Sequence, residues 1–122
     1  ILSKKKKVTW EEVSKYDFMT VSKSSGNRML IDLALAGKSQ APNIIYEAQH
    51  VTTLLGLVEA GMGIAVVPSL AMPSKDHPVL ASVPLVDPVV SRRIGLISKK
   101  GRSLAPAAEK LYELLLALSR NN

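Results

Sequence analysis

The sequence predicts an α/β fold built on a parallel sheet, and three observations carry that expectation. Apolar or β-branched runs at 17–22, 44–48 and 64–67 alternate with two helical runs, the order that parallel crossover units require. The run Ile64-Ala-Val-Val67 is apolar at every position, which suits a central strand covered on both faces. Gly61 and Gly63 stand between the second helix and that strand, where a helix terminus needs a left-handed residue and the chain must double back.

In chain order, the stretch from Ile1 to Tyr16 reads as a connecting segment. It holds the lysine run Lys4–Lys7 and a helical turn, Trp10-Glu-Glu-Val13, capped by Thr9 and acidic where a helix N-terminus favours acid, with Trp10 reading as a packing anchor beside the first strand rather than a stacking platform. Asp17-Phe-Met-Thr-Val-Ser22 is aromatic and β-branched and reads as a strand. Ser24-Ser-Gly-Asn27 supplies a loop and cap, Leu30, Ile31, Leu33, Ala34 and Leu35 mark a helix, and Gly37 closes it. Ile44-Ile-Tyr-Glu-Ala48 is the second strand. Leu54, Leu57 and Val58 place three apolar side chains on one helical face, with Thr52 or Thr53 as the cap before them. Pro68 cannot donate to a ladder and ends the third strand.

Past Pro68 a short helical turn and loop cover Ser69 to Pro78, and Val79–Val86 and Arg92–Lys99 read as extended. The final element is a helix, because Leu104, Ala108, Leu111, Leu115 and Leu118 recur at spacings of four and three. Ser103 is its predicted cap, with Pro106 in the first turn. Leu114 and Leu116 widen the apolar stripe, so the helix is expected to pack on more than the domain preceding it.

The chain has 122 residues, 47% of them hydrophobic, which is enough for one modest core and too apolar for disorder. Its apolar runs are interrupted before a membrane span is reached, and no signal pattern opens it, so a cytoplasmic protein is expected. Ile1 in place of an initiator methionine suggests a piece of a longer polypeptide. The net charge of +6 owes much to the local run at Lys4–Lys7, which lacks aromatic interleaving and reads as a solvated face rather than a nucleic-acid site.

The chemistry-bearing residues argue against an enzyme. There is no cysteine, and the two histidines, His50 and His77, have no paired-ligand spacing, so neither a metal site nor a cofactor is expected. No Gly-x-Ser-x-Gly elbow is present, and Gly61-Met-Gly63 closes a helix and opens a strand, the reverse of a dinucleotide loop. Two loops do suit a small anion. Ser22-Lys-Ser-Ser-Gly-Asn-Arg28 and Gln49-His-Val-Thr-Thr53 each join a strand's carboxyl end to a helix N-terminus, on the sheet edge where open α/β folds bind ligands. Hydroxyls, backbone N–H groups and Arg28 can converge there on a carboxylate, against the plainer reading of ordinary helix capping.

Three motifs in order resemble a known family: Leu54-Leu-Gly-Leu-Val-Glu-Ala-Gly-Met-Gly-Ile-Ala-Val-Val-Pro68, then Val86-Asp-Pro with Arg92-Arg-Ile-Gly-Leu-Ile, then Gly101-Arg-Ser-Leu-Ala-Pro-Ala-Ala108. Together they are similar to the C-terminal part of LysR-type transcriptional regulators. The resemblance implies a type-2 periplasmic-binding-protein-like fold of two α/β subdomains joined by two crossovers. It makes residues 1–15 a crossover segment, 16–100 the second effector-binding subdomain, and 101–122 a hinge and a C-terminal helix returning to the first subdomain. Ser22, Ser24, Ser25 and Gly26 on one loop, and His50, Val51 and Thr52 on the other, become this subdomain's share of the cleft for a small effector. The resemblance further implies a homo-oligomer, dimer or tetramer, contacting DNA only through an N-terminal winged helix-turn-helix that these residues do not include, with no membrane partner. The alternatives are an exported solute-binding protein of the same fold and, less favoured, an enzyme on a related sheet.

Overall fold

The strand Asp17–Val21, numbered β2, is buried from Phe18 onward and lies in the middle of a three-stranded parallel sheet. The computed structural model describes residues 2–38 and 42–120. In it, β2 is flanked by β3 (Asn43–Ala48) on one side and β4 (Ile64–Ala65) on the other. The helices between them are α2 (Gly26–Leu35) and α3 (Val51–Glu59). The expected strand, helix, strand, helix, strand order is therefore present, with every pairing parallel.

The expectation that Ile64–Val67 is the central strand is corrected. Only Ile64 and Ala65 join the ladder, opposite Phe18 and Met19, and residues 64 to 68 are half-buried. A run of apolar residues reports burial but not rank within the sheet, and the rank is set by which way the crossovers step. From β2 the chain steps to β3 on one side, then returns past β2 to β4 on the other. Crossovers of one hand that step in opposite directions send their helices to opposite faces. The packing agrees. Phe18 joins Ile31 and Ala34 of α2 in one cluster, while Met19 and Val21 join Leu54 of α3 in another. A register step between Phe18 and Met19, opposite Ile44 and Tyr46, irregularises the β3 side of the ladder.

The turn into β4 requires glycine. Gly61 has φ +77°, and Gly63 has φ +151°, with the position a Cβ would occupy only 2.8 Å from the Asp17 carbonyl oxygen. Backbone therefore fills the space that any side chain at 63 would need.

The connecting segment folds onto the α2 face. After a 3₁₀ turn at Leu2–Lys4 come β1 (Val8–Thr9) and the short helix α1 (Trp10–Val13). Thr9 caps α1 in a complete capping box, donating its N–H to Glu12 Oε2 at 3.0 Å while its Oγ1 accepts from the Glu12 N–H at 3.2 Å. Val8, Trp10 and Val13 are buried with Phe18, Ile31 and Ala34. Trp10 is a packing anchor, as expected: 2% exposed, with its indole N–H donated to the Pro88 carbonyl at 2.8 Å. β1 pairs in parallel with β5 (Leu85–Val86), so the segment entering this unit and the one leaving its sheet run side by side. Ser69–Ala71 forms the predicted short helical turn, here 3₁₀.

The chain divides into two compact units, one up to Val90 and one from Ser91. In the second, residues 92–99 carry the alternation of a strand but take part in no ladder among the described residues. The expected extended element there is thus not a strand, because alternation supplies a face to bury but no hydrogen-bonding partner. Helix α4 (Pro106–Arg120) starts later than predicted. Glu109 N–H donates to the Ala105 carbonyl at 2.9 Å, so Ser103 lies too early to cap it. The residue before a proline disfavours the α region, which pins the start at Pro106 itself.

Candidate functional site

The two loops singled out in the sequence grow from adjacent, directly paired strand ends. Val21 and Ala48 are ladder partners, and the Ser22 N–H continues the pairing by donating to the Ala48 carbonyl at 2.9 Å. Because α2 and α3 pack on opposite faces of the sheet, the loops diverge from that point beyond the carboxyl ends of β2 and β3. This is the topological switch point at which open α/β sheets accept ligands.

The first loop is a tight turn closed by the Ser25 N–H donating to the Ser22 carbonyl at 2.9 Å. Ser22 Oγ and Ser24 Oγ lie 2.9 Å apart. Ser25 is the N-cap of α2, its hydroxyl accepting the Asn27 N–H at 3.3 Å, and Gly26 is the first helical residue. Ser24 and Gly26 are exposed, while Ser22 and Ser25 are half-buried. Lys23 is exposed at the loop's tip and makes no hydrogen bond or ion pair with another described residue. It is the cation nearest the loop hydroxyls in sequence and the residue that reasoning from the sequence alone passed over.

The second loop departs from expectation at its cap. The N-cap of α3 is His50, not Thr52 or Thr53, and its side chain makes no capping bond. Its carbonyl accepts the Thr53 N–H at 3.1 Å. The helix begins early because Leu54, fully buried against Met19 and Val21, must already sit one turn inside it. His50 and Thr52 are exposed in consequence, and Val51 packs against the Met19–Leu54 cluster. Of the seven residues, Ser22, Ser24, Ser25, Gly26, His50 and Thr52 are thus surface or half-buried groups on the two loops at this sheet edge, and Val51 is in part a core residue.

Arg28, which the sequence offers as a cation for a ligand carboxylate, is turned inward. It is 6% exposed. Its Nε donates to Asp32 Oδ1 at 2.8 Å, and its Nη1 donates to Glu47 Oε1 at 2.7 Å and the Val21 carbonyl at 3.3 Å. The hydrogen bond to Glu47, followed by that to Asp32, holds the guanidinium pKa above its ordinary value. The i,i+4 spacing of Arg28 and Asp32 was readable in the sequence. The Glu47 contact, nineteen residues away, was not.

Elsewhere, His77 Nδ1 accepts the Val79 and Leu80 N–H groups at 3.3 and 3.0 Å, a local loop role. Among the described residues no group of three His, Cys, Asp or Glu could hold a metal ion, and no helix is long and apolar enough to cross a membrane. In the lysine run, Lys5 is paired with Glu12.

A family model described as the LysR substrate binding domain matches residues 1–120 of this chain. The chain belongs to that family. The LysR substrate-binding domain implies a periplasmic-binding-protein-like α/β fold, and the parallel sheet described above accords with it. The chain is 45% identical over 117 residues to the uncharacterized HTH-type transcriptional regulator YbhD of Escherichia coli (strain K12), covering 96% of this chain and 37% of that protein. It is 38% identical over 108 residues to the uncharacterized HTH-type transcriptional regulator YfeR of Shigella flexneri, covering 88% and 35%. A shorter match of 76 residues, 33% identical, relates it to the transcriptional dual regulator GltC of Bacillus subtilis (strain 168), covering 62% of this chain and 25% of GltC. The LysR domain described here therefore spans little more than a third of the first two relatives.

Proposed function

We propose that this LysR substrate-binding domain is the ligand-sensing part of a DNA-binding transcription regulator and takes a small anionic effector in the crevice beyond β2 and β3. The carrying observation is the switch point itself: paired strand ends at Val21 and Ala48, two diverging loops, and helices of opposite faces behind them. The names of YbhD, YfeR and GltC as transcriptional regulators support the regulatory role. The anionic character is favoured by Ser22, Ser24 and Ser25, by Thr52, by the N-terminal turns of α2 and α3, and by Lys23. His50, Val51 and Gly26 complete the lining.

On this reading residues 1–15 are a crossover, 16–100 the second subdomain, and 101–122 a hinge and a helix that returns to the first subdomain. The side-by-side pairing of β1 with β5 supports a crossover that enters beside the C-terminal part of the second subdomain, and the leucines exposed along α4 support its docking elsewhere. Effector binding closes the cleft and shifts subdomain orientation, which changes the geometry of the attached DNA-binding domains in a homo-oligomer. A protein working this way is cytoplasmic and reaches DNA through its N-terminal segment.

The test is a titration of the full-length regulator against a panel of small organic acids, read by thermal shift and by operator binding. For any acid that binds, Ser24→Ala with Ser25→Ala should weaken apparent affinity by about tenfold or more, the cost of removing hydrogen bonds to a charged ligand. Unchanged affinity in that variant would show that the effector binds elsewhere.

A further inference from the structure

The buried position of Arg28 leaves it no direct access to the crevice, yet every partner it has belongs to the frame of that crevice. Its guanidinium reaches Asp32 on α2, Glu47 on β3 and the carbonyl of Val21, the last residue of β2. Its own N–H donates to the carbonyl of Ser25, the α2 cap, at 3.0 Å. One residue thus ties together the end of β2, the end of β3 and the first turn of α2. Val21 precedes the first loop directly, and Glu47 stands one residue before Ala48, which accepts from Ser22 and leads into the second loop.

We propose that Arg28 is a positioning residue that fixes the two effector loops relative to each other, so that they move as one unit; this rests on reading those loops as the effector site. The geometry needs arginine specifically. A planar fork can satisfy carboxylates from two elements and a carbonyl from a third at once, whereas a lysine ammonium is a single point charge on a flexible stem. The carboxylate side chains are 55% exposed at Asp32 and 40% at Glu47, so both can be hydrated if the clamp is removed. The hydrogen bonds of Arg28 go to Asp32, Glu47 and the Val21 and Ser25 carbonyls, and none of them to Phe18, Met19 or Leu54. Loss of the clamp should therefore be felt at the loops and not through the strand behind them.

Residue-resolved amide hydrogen exchange on the intact protein, with no effector added, tests this in Arg28→Lys and Glu47→Gln. We expect the Ser22, Ser25 and Arg28 amides to exchange about tenfold faster in both variants while Met19 and Thr20 keep their protection. Glu47→Gln keeps side-chain size and a half-exposed position, so it supplies the comparison if Arg28→Lys does not fold. Loop amides that exchange at the original rate would overturn the proposal. So would acceleration that is equal at Met19 and Thr20, since that reports general destabilisation. Because effector is absent, this experiment and the serine titration fail independently of each other.

Discussion

Gly63 is the residue whose replacement is most constrained by its surroundings. Alanine there meets two penalties together: a backbone conformation that side chains rarely adopt and a carbonyl oxygen 2.8 Å from the new Cβ. That oxygen belongs to the backbone of β2 and cannot swing away as a flexible side chain would. Gly63→Ala should destabilise the protein by about 2 kcal/mol or more, read from the midpoint of urea unfolding at constant slope. At Gly61, where nothing lies within 4 Å of the position a Cβ would take, the same change carries the φ penalty alone and should cost less. Glu12 illustrates a charge at the same scale. Its pKa is lowered first by the hydrogen bond from Lys5 and then by the Thr9 backbone N–H. A depressed carboxylate contributes stability above its unfolded pKa and loses it as pH falls through the folded value. A carbon-detected titration should therefore find Glu12 ionising below the ordinary glutamate range, and Lys5→Met should move it partway back, leaving the Thr9 share in place.

At the scale of elements, capping was legible where it was local and illegible where burial dictated the start. Thr9 was identifiable because it is a hydroxyl immediately before a helical run, and the α2 cap was placed within Ser24–Asn27, where Ser25 accepts the N–H bond expected of an N-cap. Thr52 and Thr53 carry the same signal yet sit inside α3, because Leu54 has to be one turn into the helix to reach Met19 and Val21. Ser103 fails for a backbone reason, the proline at 106. Helix α4 yields the prediction proper to this scale. It has fifteen residues, and none of those described is buried. A helix without a packed face is marginal at that length, so in the 122-residue chain its amides should exchange at least about a hundredfold faster than those of Met19 and Thr20. Comparable protection in α4 would mean that its leucines are covered in solution.

At the scale of the whole molecule, the site is a product of topology. Neither loop is distinctive as a string of residues: serine and threonine before a helix are the ordinary furniture of caps. They become a candidate effector site because β2 and β3 are neighbours whose following helices lie on opposite faces, an arrangement that requires β4 to pair on the far side of β2. The seven residues chosen from the sequence share one edge for that reason, with Val51 partly committed to the core and Lys23 added at the rim.

By itself the sequence determined the order of elements, the glycine turn at 61–63, the Thr9 cap, a cap within Ser24–Asn27 and the anchoring of Trp10. Each of these depends on periodicity, on a backbone angle or on a partner a few residues away, or, for Trp10, on a size and polarity that favour burial with a partner for its N–H. Only the tertiary structure decided that β2 and not β4 is central, that α3 starts at Val51, and that the charge of Arg28 is spent on Glu47 and Asp32 rather than offered to a ligand. Those outcomes turn on pairings between residues far apart in the chain, Val21 with Ala48 and Arg28 with Glu47, and no local preference encodes which distant partner a strand edge or a guanidinium will find.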